Sequence, residues 1–294
     1  MGEWAAIARV VRGVALAGAM ALGLVWSSPT ARAAPASRIV SLNVCTDQVL
    51  LDLVARERIA AVSHLAADPA VSAVAGRAVG LPSTRGEAEV VLGFDPDLVV
   101  AGDYSTPATV ALLERIGRRV VKVPLATNLD GIRATIRRIA AAVEEVNAGE
   151  RLIDAFDRRI AAVPHPANQE KPSALVYQVN GLASSSESLA DAVLAAAGFD
   201  NHARRLDLGA GGTLPLELLV ARPPDVIILT GPIDEYRTAV ADNLRHPALS
   251  ALGRQRHSVI VPWRYWLCGT QHTATAIERL AAARPSVRAA QSVR

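Results

Sequence analysis

Aromatic residues are scarce in this chain: Phe, Trp and Tyr together make up 4% of its 294 residues. Each one that falls in a loop is therefore worth a question. Cysteine occurs twice, as Cys45 and Cys268, which at this length excludes a small loop-rich scaffold held by disulfides. Catalytic and nucleotide-binding signatures are missing as well. There is no G-x-G-x-x-G after a strand, no Walker A loop, no G-x-S-x-G elbow and no H-E-x-x-H. Gly209 to Gly212 does not join a strand to a helix. Ser184 to Ser186, near Glu187 and Asp191, reads as a turn and cap, and read instead as nucleophile and acid it leaves an exported hydrolase as the alternative class. The six histidines, at 64, 165, 202, 246, 257 and 272, are scattered, which argues against a zinc or manganese site built on clustered imidazoles.

The N-terminus carries an export pattern. Arg9 and Arg12 precede an apolar stretch from Val14 to Trp26, and the small-residue site Ala31-Arg32-Ala33 follows. The stretch is shorter than the roughly 20 residues of a membrane anchor, so residues 1–33 are expected to be a cleaved signal peptide. No cysteine near the site offers a lipid attachment point. Removal takes out Arg9, Arg12, Arg32 and Glu3, lowering the formal net charge from +3 to about +1. The basic balance therefore gives no support to nucleic-acid binding.

Two stretches of the remaining chain read as copies. Glu89-Val-Val-Leu-Gly-Phe-Asp-Pro-Asp97 leads into Leu-Val-Val, and Glu217-Leu-Leu-Val-Ala-Arg-Pro-Pro-Asp225 leads into Val-Ile-Ile-Leu. In both, a glutamate, a short apolar helical turn and Pro-Asp precede a β-branched run, at one spacing. Such a pair predicts two related α/β halves, each burying its own sheet, with a cleft between them. Strand and helix alternate on either side as parallel, doubly wound sheets require. In the first half the expected strands are Arg38 to Leu42, Ile59 to Val62, Asp97 to Ala101 and Val120 to Val123. In the second they are Ser173 to Val179, Val226 to Leu229 and Ser258 to Val261. A helix from Thr46, capped by that threonine, is expected to run to Val54. Between the halves, apolar positions step by four and three from Ile132 to Val146 and again from Ile153 to Val163. Asn147 and Glu150 predict a new helix near Ala148, a connector with limited bending. The expected domains are an N-terminal lobe over 34–146, a connecting helix over 147–166 and a C-terminal lobe over 167–294.

On these motifs, with Arg38-Ile-Val-Ser-Leu42 near the start and Val259-Ile-Val-Pro-Trp263 near the end, the chain resembles the periplasmic binding proteins of ABC importers that carry iron–siderophore complexes or vitamin B12. The resemblance covers nearly all of the chain after residue 33. It implies two lobes joined by one helix, binding without catalysis, no cofactor of the protein's own, and a ligand that brings iron or cobalt. It also implies an inner-membrane permease, with its ATPase, as partner. In that family one glutamate on each lobe pairs with permease arginines, and the matching residues here are Glu89 and Glu217. Two carboxylates on similar lobes suit arginine forks on a two-fold partner.

Open α/β sheets bind ligands at the carboxyl ends of their strands. That rule nominates Asn43 and Cys45, Arg85, and Tyr104 in the first half, and Gln178 and Asn180 in the second. Trp263, Arg264, Tyr265 and Trp266 follow the last strand as a polarisable wall with a cation, suited to a large planar ligand bearing anionic groups. A ferric siderophore is the first expectation, because Arg85 and Arg264 would attract its charge, with a corrinoid or haem next. Cys45 and Cys268 are left with three readings: inert thiols, a disulfide, or contact with the ligand's metal.

Overall fold

The computed structural model describes residues 35–164, 170–185, 187–206, 212–231 and 242–292. Outside these lie the expected signal peptide, residues 165–169, Ser186, residues 207–211, residues 232–241 and the last two residues.

The first lobe comprises β1 (Ile39–Ser41), α1 (Val44–Leu53), β2 (Ile59–Ser63), α2 (Ala75–Ala78), β3 (Ser83–Thr84), α3 (Ala88–Gly93), β4 (Leu98–Gly102), α4 (Pro107–Arg115), β5 (Val120–Val123) and α5 (Leu129–Ala142). Its five strands are all parallel, in the order β3-β2-β1-β4-β5. α6 (Val146–Ala161) leads out of it. The second lobe comprises β6 (Ser173–Val176), β7 (Leu182–Ala183), α7 (Leu189–Ala196), β8 (Asp200–Asn201), β9 (Gly212–Thr213), α8 (Leu216–Ala221), β10 (Val226–Leu229), α9 (Asp242–Arg245), α10 (Pro247–Gln255), β11 (His257–Ile260) and α11 (Thr273–Ser292). Its parallel sheet has the order β11-β10-β6-β8, and β7 and β9 form a small antiparallel ribbon beside it.

The central strands are β-branched runs buried on both faces, as sheets covered by helices on two sides demand. Val40, Val99, Ile227 and Ile228 are at most 1% exposed. The two sheets correspond strand for strand: β2-β1-β4-β5 in one matches β8-β6-β10-β11 in the other. Doubly wound, two-lobe α/β architecture is thus the observed fold.

Asn43, rather than Thr46, caps α1. The Asn43 Oδ1 accepts from the Cys45 N–H at 2.8 Å, while the Thr46 hydroxyl turns back to the Asn43 carbonyl and the Ser41 hydroxyl. The long helical stretch breaks at 143–145, where Glu144 takes φ 61° and Arg58 captures the Val143 carbonyl and the Glu145 carboxylate. α6 consequently starts at Val146, two residues before the expected Ala148. α5 and α6 cross closely at Gly149, where a Cβ would lie 2.5 Å from that of Ala140. One apolar core runs from Ile39 and Ile136 through Ile153 and Phe156 of α6 to Val176 and Ile277, so the connector is packed along its length. Truncating Ile136 to Ala would cost about 2–5 kcal/mol on the usual cavity scale.

Candidate functional site

In the first sheet, chain order reverses between β1 and β4, and the carboxyl ends of those strands are where a doubly wound fold opens a crevice. An open depression of about 810 Å³ lies there. Its wall is largely apolar, with Leu42, Val44, Leu65, Leu125 and Leu267, and its polar edge carries Asn43, His64, Arg85 and Tyr104. A narrower recess beside it shares Asn43, Cys45, Tyr104 and Leu125 and reaches Gly269 of the second lobe. Four of the expected site residues, Asn43, Cys45, Arg85 and Tyr104, therefore converge on one place. Tyr104 stands 79% exposed there, an uncommon setting for a phenol ring without a partner surface. The Arg85 guanidinium has no ion-pair partner within contact distance among the described residues, although its backbone N–H donates to Glu87 and its charge acts on the same carboxylate.

The second-lobe residues are placed differently. Trp266 is 5% exposed and belongs to the core, and its indole N–H has no hydrogen-bond partner among the described residues. Trp263 and Tyr265 are half-buried against that core. The guanidinium groups of Arg264 and Arg279 both lie over the Tyr265 ring, 5.0 and 5.1 Å from its centroid. Arg264 also donates to the Pro69 carbonyl at 2.9 Å, reaching across to the first lobe. Its charge is thus engaged structurally. Gln178 and Asn180 follow β6 and are tied to Asn243 through the Gln178 carbonyl and the Asn180 N–H. They occupy the corresponding strand end of the second lobe and do not line the depression of the first.

Between the lobes runs a seam. Cys45 and Cys268 are joined by a disulfide, so neither is a free thiol or a metal ligand. Gln271 donates to the Gln48 carbonyl at 3.1 Å and to Asp52 at 2.6 Å, and the His272 ring lies 3.1 Å from the same Asp52 carboxylate. Burial pushes the Asp52 carboxyl up, but His272, the Gln271 amide and the Arg77 charge outweigh it and hold it below its usual range. No group of metal-ligating side chains occurs among the described residues.

Glu89 and Glu217 open the first turns of α3 and α8, equivalent helices of the two lobes. Both are exposed, and neither makes an ion pair or side-chain hydrogen bond among the described residues. Beneath them the repeat does identical structural work. Asp97 accepts from the Ser37 and Arg38 N–H groups and the Ser37 hydroxyl ahead of β1, as Asp225 accepts from the Ser173 N–H and hydroxyl at the start of β6.

A family model described as "periplasmic binding protein" matches residues 39–253, from β1 into α10. The chain belongs to the periplasmic binding protein family. As a periplasmic binding protein it falls among solute-binding proteins and not enzymes, which sets the hydrolase reading aside. It is 29% identical over 223 residues to a cobalamin-binding protein of Halobacterium salinarum, an alignment covering 72% of this chain and 58% of that relative's length. The periplasmic heme-binding protein RhuT from Roseiflexus sp. RS-1, in its apo form, superposes with a TM-score of 0.71 at 25% identity over 86% of this chain and 99% of that one. The periplasmic vitamin B12 binding protein BtuF of Vibrio cholerae gives 0.63 at 16% identity, over 87% and 98%, a likeness of fold. Among the described residues, no helix is long and apolar enough to cross a membrane.

His64, Leu65, Leu125 and Leu267 line the depression without having been expected there. Leucines in loops carry no signal of their own, but His64 directly follows β2, and the strand-end rule would have found it.

Proposed function

We propose that this periplasmic binding protein is exported, captures a metal chelate at the β1–β4 edge of its first lobe, and presents it to an inner-membrane ABC permease through Glu89 and Glu217. The observation that carries the reading is the mainly apolar depression at the sheet's reversal point, edged by one guanidinium that makes no contact ion pair among the described residues and by one exposed phenol. A ferric siderophore of high negative charge would call for several free cations, whereas here Arg264 is occupied by Tyr265 and Pro69, leaving Arg85. A corrinoid, a broad apolar ring fringed with neutral amides, suits leucine walls with an asparagine, a tyrosine and a single arginine at the rim. The 29% identity to a cobalamin-binding protein supports the same order, a corrinoid ahead of the ferric siderophore.

The test is a parallel titration of the purified chain with cyanocobalamin, haemin, and ferric hydroxamate and catecholate chelates, read by tryptophan fluorescence with inner-filter controls. Saturable one-to-one quenching by cyanocobalamin alone is expected. Saturation by haemin or a ferric chelate alone replaces the ligand assignment, and no response to any of them removes the site.

A further inference from the structure

The cysteine pair spans 223 residues of sequence and joins the first turn of α1 in one lobe to the loop before α11 in the other. Cys45, Gln48 and Asp52 are spaced three and four apart along α1 and so share one helical face. That face meets Cys268, Gln271 and His272. The lobes are thus tied covalently at two places, through the α6 connection and through this disulfide.

The seam's polar groups are incompletely matched: among the described residues, the buried Gln48 side-chain amide nitrogen and the buried Gln271 side-chain oxygen have no hydrogen-bond partner. Buried unpaired amides oppose association of the surfaces that bury them. Gly269 is seated so closely that a Cβ there would lie 2.5 Å from the Ala126 side chain, so the seam closes only in this tight register. The two sulfurs differ in access. Cys268 is 1% exposed, whereas Cys45 is part-exposed and borders both the depression and its adjoining recess.

We infer that Cys45–Cys268 is a positioning pair for ligand binding: the bond holds the two lobes at the angle that forms the cleft, and reductants reach it only through the cleft, at Cys45. The ligand named in the second test below rests on the corrinoid reading; the lock itself does not. In the reductive step a dithiol's thiolate attacks the Cys45 sulfur, the S–S bond breaks, and Cys268 leaves as a thiolate that takes up a proton. The reagent's second thiol then displaces Cys45, which also ends as a thiol, and the dithiol is oxidised to its cyclic disulfide. Ligand seated in the depression covers the approach.

Two measurements decide this. In the first, the Cys45→Ser/Cys268→Ser variant and wild-type protein reduced with dithiothreitol are compared with the oxidised protein by hydrogen exchange. Amides of 44–53 and 268–273 should exchange at least tenfold faster in both, with those of β4 and β10 unchanged; a bond serving general stability alone would accelerate all four regions together, and unchanged seam amides would overturn the lock. The reduced wild type keeps the comparison meaningful if the variant does not fold. In the second, dithiothreitol reduction of wild type is timed with and without saturating cyanocobalamin, and the variant's cyanocobalamin dissociation rate is measured. Reduction at least fivefold slower with ligand and dissociation at least tenfold faster in the variant are expected; equal rates in both would overturn the positioning role. If oxidised wild type binds no cyanocobalamin, the corrinoid reading fails and hydrogen exchange alone decides the lock.

Discussion

The Ser173 hydroxyl lies 2.8 Å from the Asp225 carboxylate, and this bond repeats at the start of β6 the hold that Asp97 has on Ser37 ahead of β1. In both lobes the aspartate of the Pro-Asp motif sits just before one central strand and satisfies N–H and O–H donors at the start of its neighbour. The repeat's aspartates are therefore staples between adjacent strands, while its glutamates face outward.

Removing a staple leaves donors unpaired at a strand's start. Asp225→Ala should destabilise the protein by about 1–3 kcal/mol, read as a shift of the urea midpoint at constant slope. Asp97→Ala should cost less, because its site is more exposed. Burial pushes the Asp97 carboxyl up, but the Ser37 and Arg38 N–H groups, the Ser37 hydroxyl and the Arg38 charge together hold it below its usual range. A lowered folded-state value contributes stability above the unfolded pKa, lost as pH falls through the folded one. The Asp97 contribution should accordingly fade below about pH 4, the ordinary aspartate range.

Asp47 behaves in the opposite sense. It lies in the first turn of α1 and is fully buried, and that burial raises its carboxyl to about 7 against the opposing hydrogen bonds of Ser41 and Ser63. Its proton is therefore kept on folding at pH values where the unfolded chain has lost it. Stability from this group is fully present below pH 3.8 and declines as pH rises to about 7. Asp47→Asn should flatten that decline and match or exceed wild type at pH 7.5 in denaturant melts; an unchanged slope would show that Asp47 ionises normally.

Docking through the repeat's glutamates predicts a separation of functions. Glu89→Arg combined with Glu217→Arg should cut ligand uptake in cells by at least tenfold while leaving solution affinity within twofold. Normal uptake by the double variant would remove both glutamates from the permease interface.

The rim residues make a graded prediction. Tyr104→Ala should weaken cyanocobalamin binding by roughly tenfold, the usual worth of an aromatic contact, and Arg85→Ala by less, since a corrinoid's periphery is mostly neutral. Trp266→Ala should instead act through the core, lowering the melting temperature, because that ring is buried away from the depression. Calorimetric titration and thermal melts of the three variants separate the two effects.

Much of this architecture was legible in order of residues. β-branched runs marked the strands, the duplicated Glu and Pro-Asp spacing marked the lobes, and the steps from Ile132 to Phe156 marked the helical bridge. Local sequence did not reveal which side-chain acceptor would cap α1, since Asn43 and Thr46 are both competent and the choice depends on the turn out of β1. It also could not orient the aromatics after β11. A Trp-Arg-Tyr-Trp run presents the same chemistry whether it faces a cleft or a core, and here Trp266 turns inward while Arg279, from α11, helps enclose Tyr265. The pairing of Cys45 with Cys268 had to await the fold, because only the meeting of the lobes brings residues 223 apart in sequence together.

A ligand entering the apolar depression at the β1–β4 edge should meet Leu125. This residue is 37% exposed and lines both the depression and its recess, so an arginine there can be accommodated at the surface while placing charge against an apolar ligand. Isothermal titration of cyanocobalamin into wild type and Leu125→Arg is the decisive comparison. A single saturable site in wild type and at least a thirtyfold loss of affinity in the variant, at an unchanged melting temperature, are expected. Equal binding by both proteins would contradict entry at this depression and place the ligand elsewhere on the molecule.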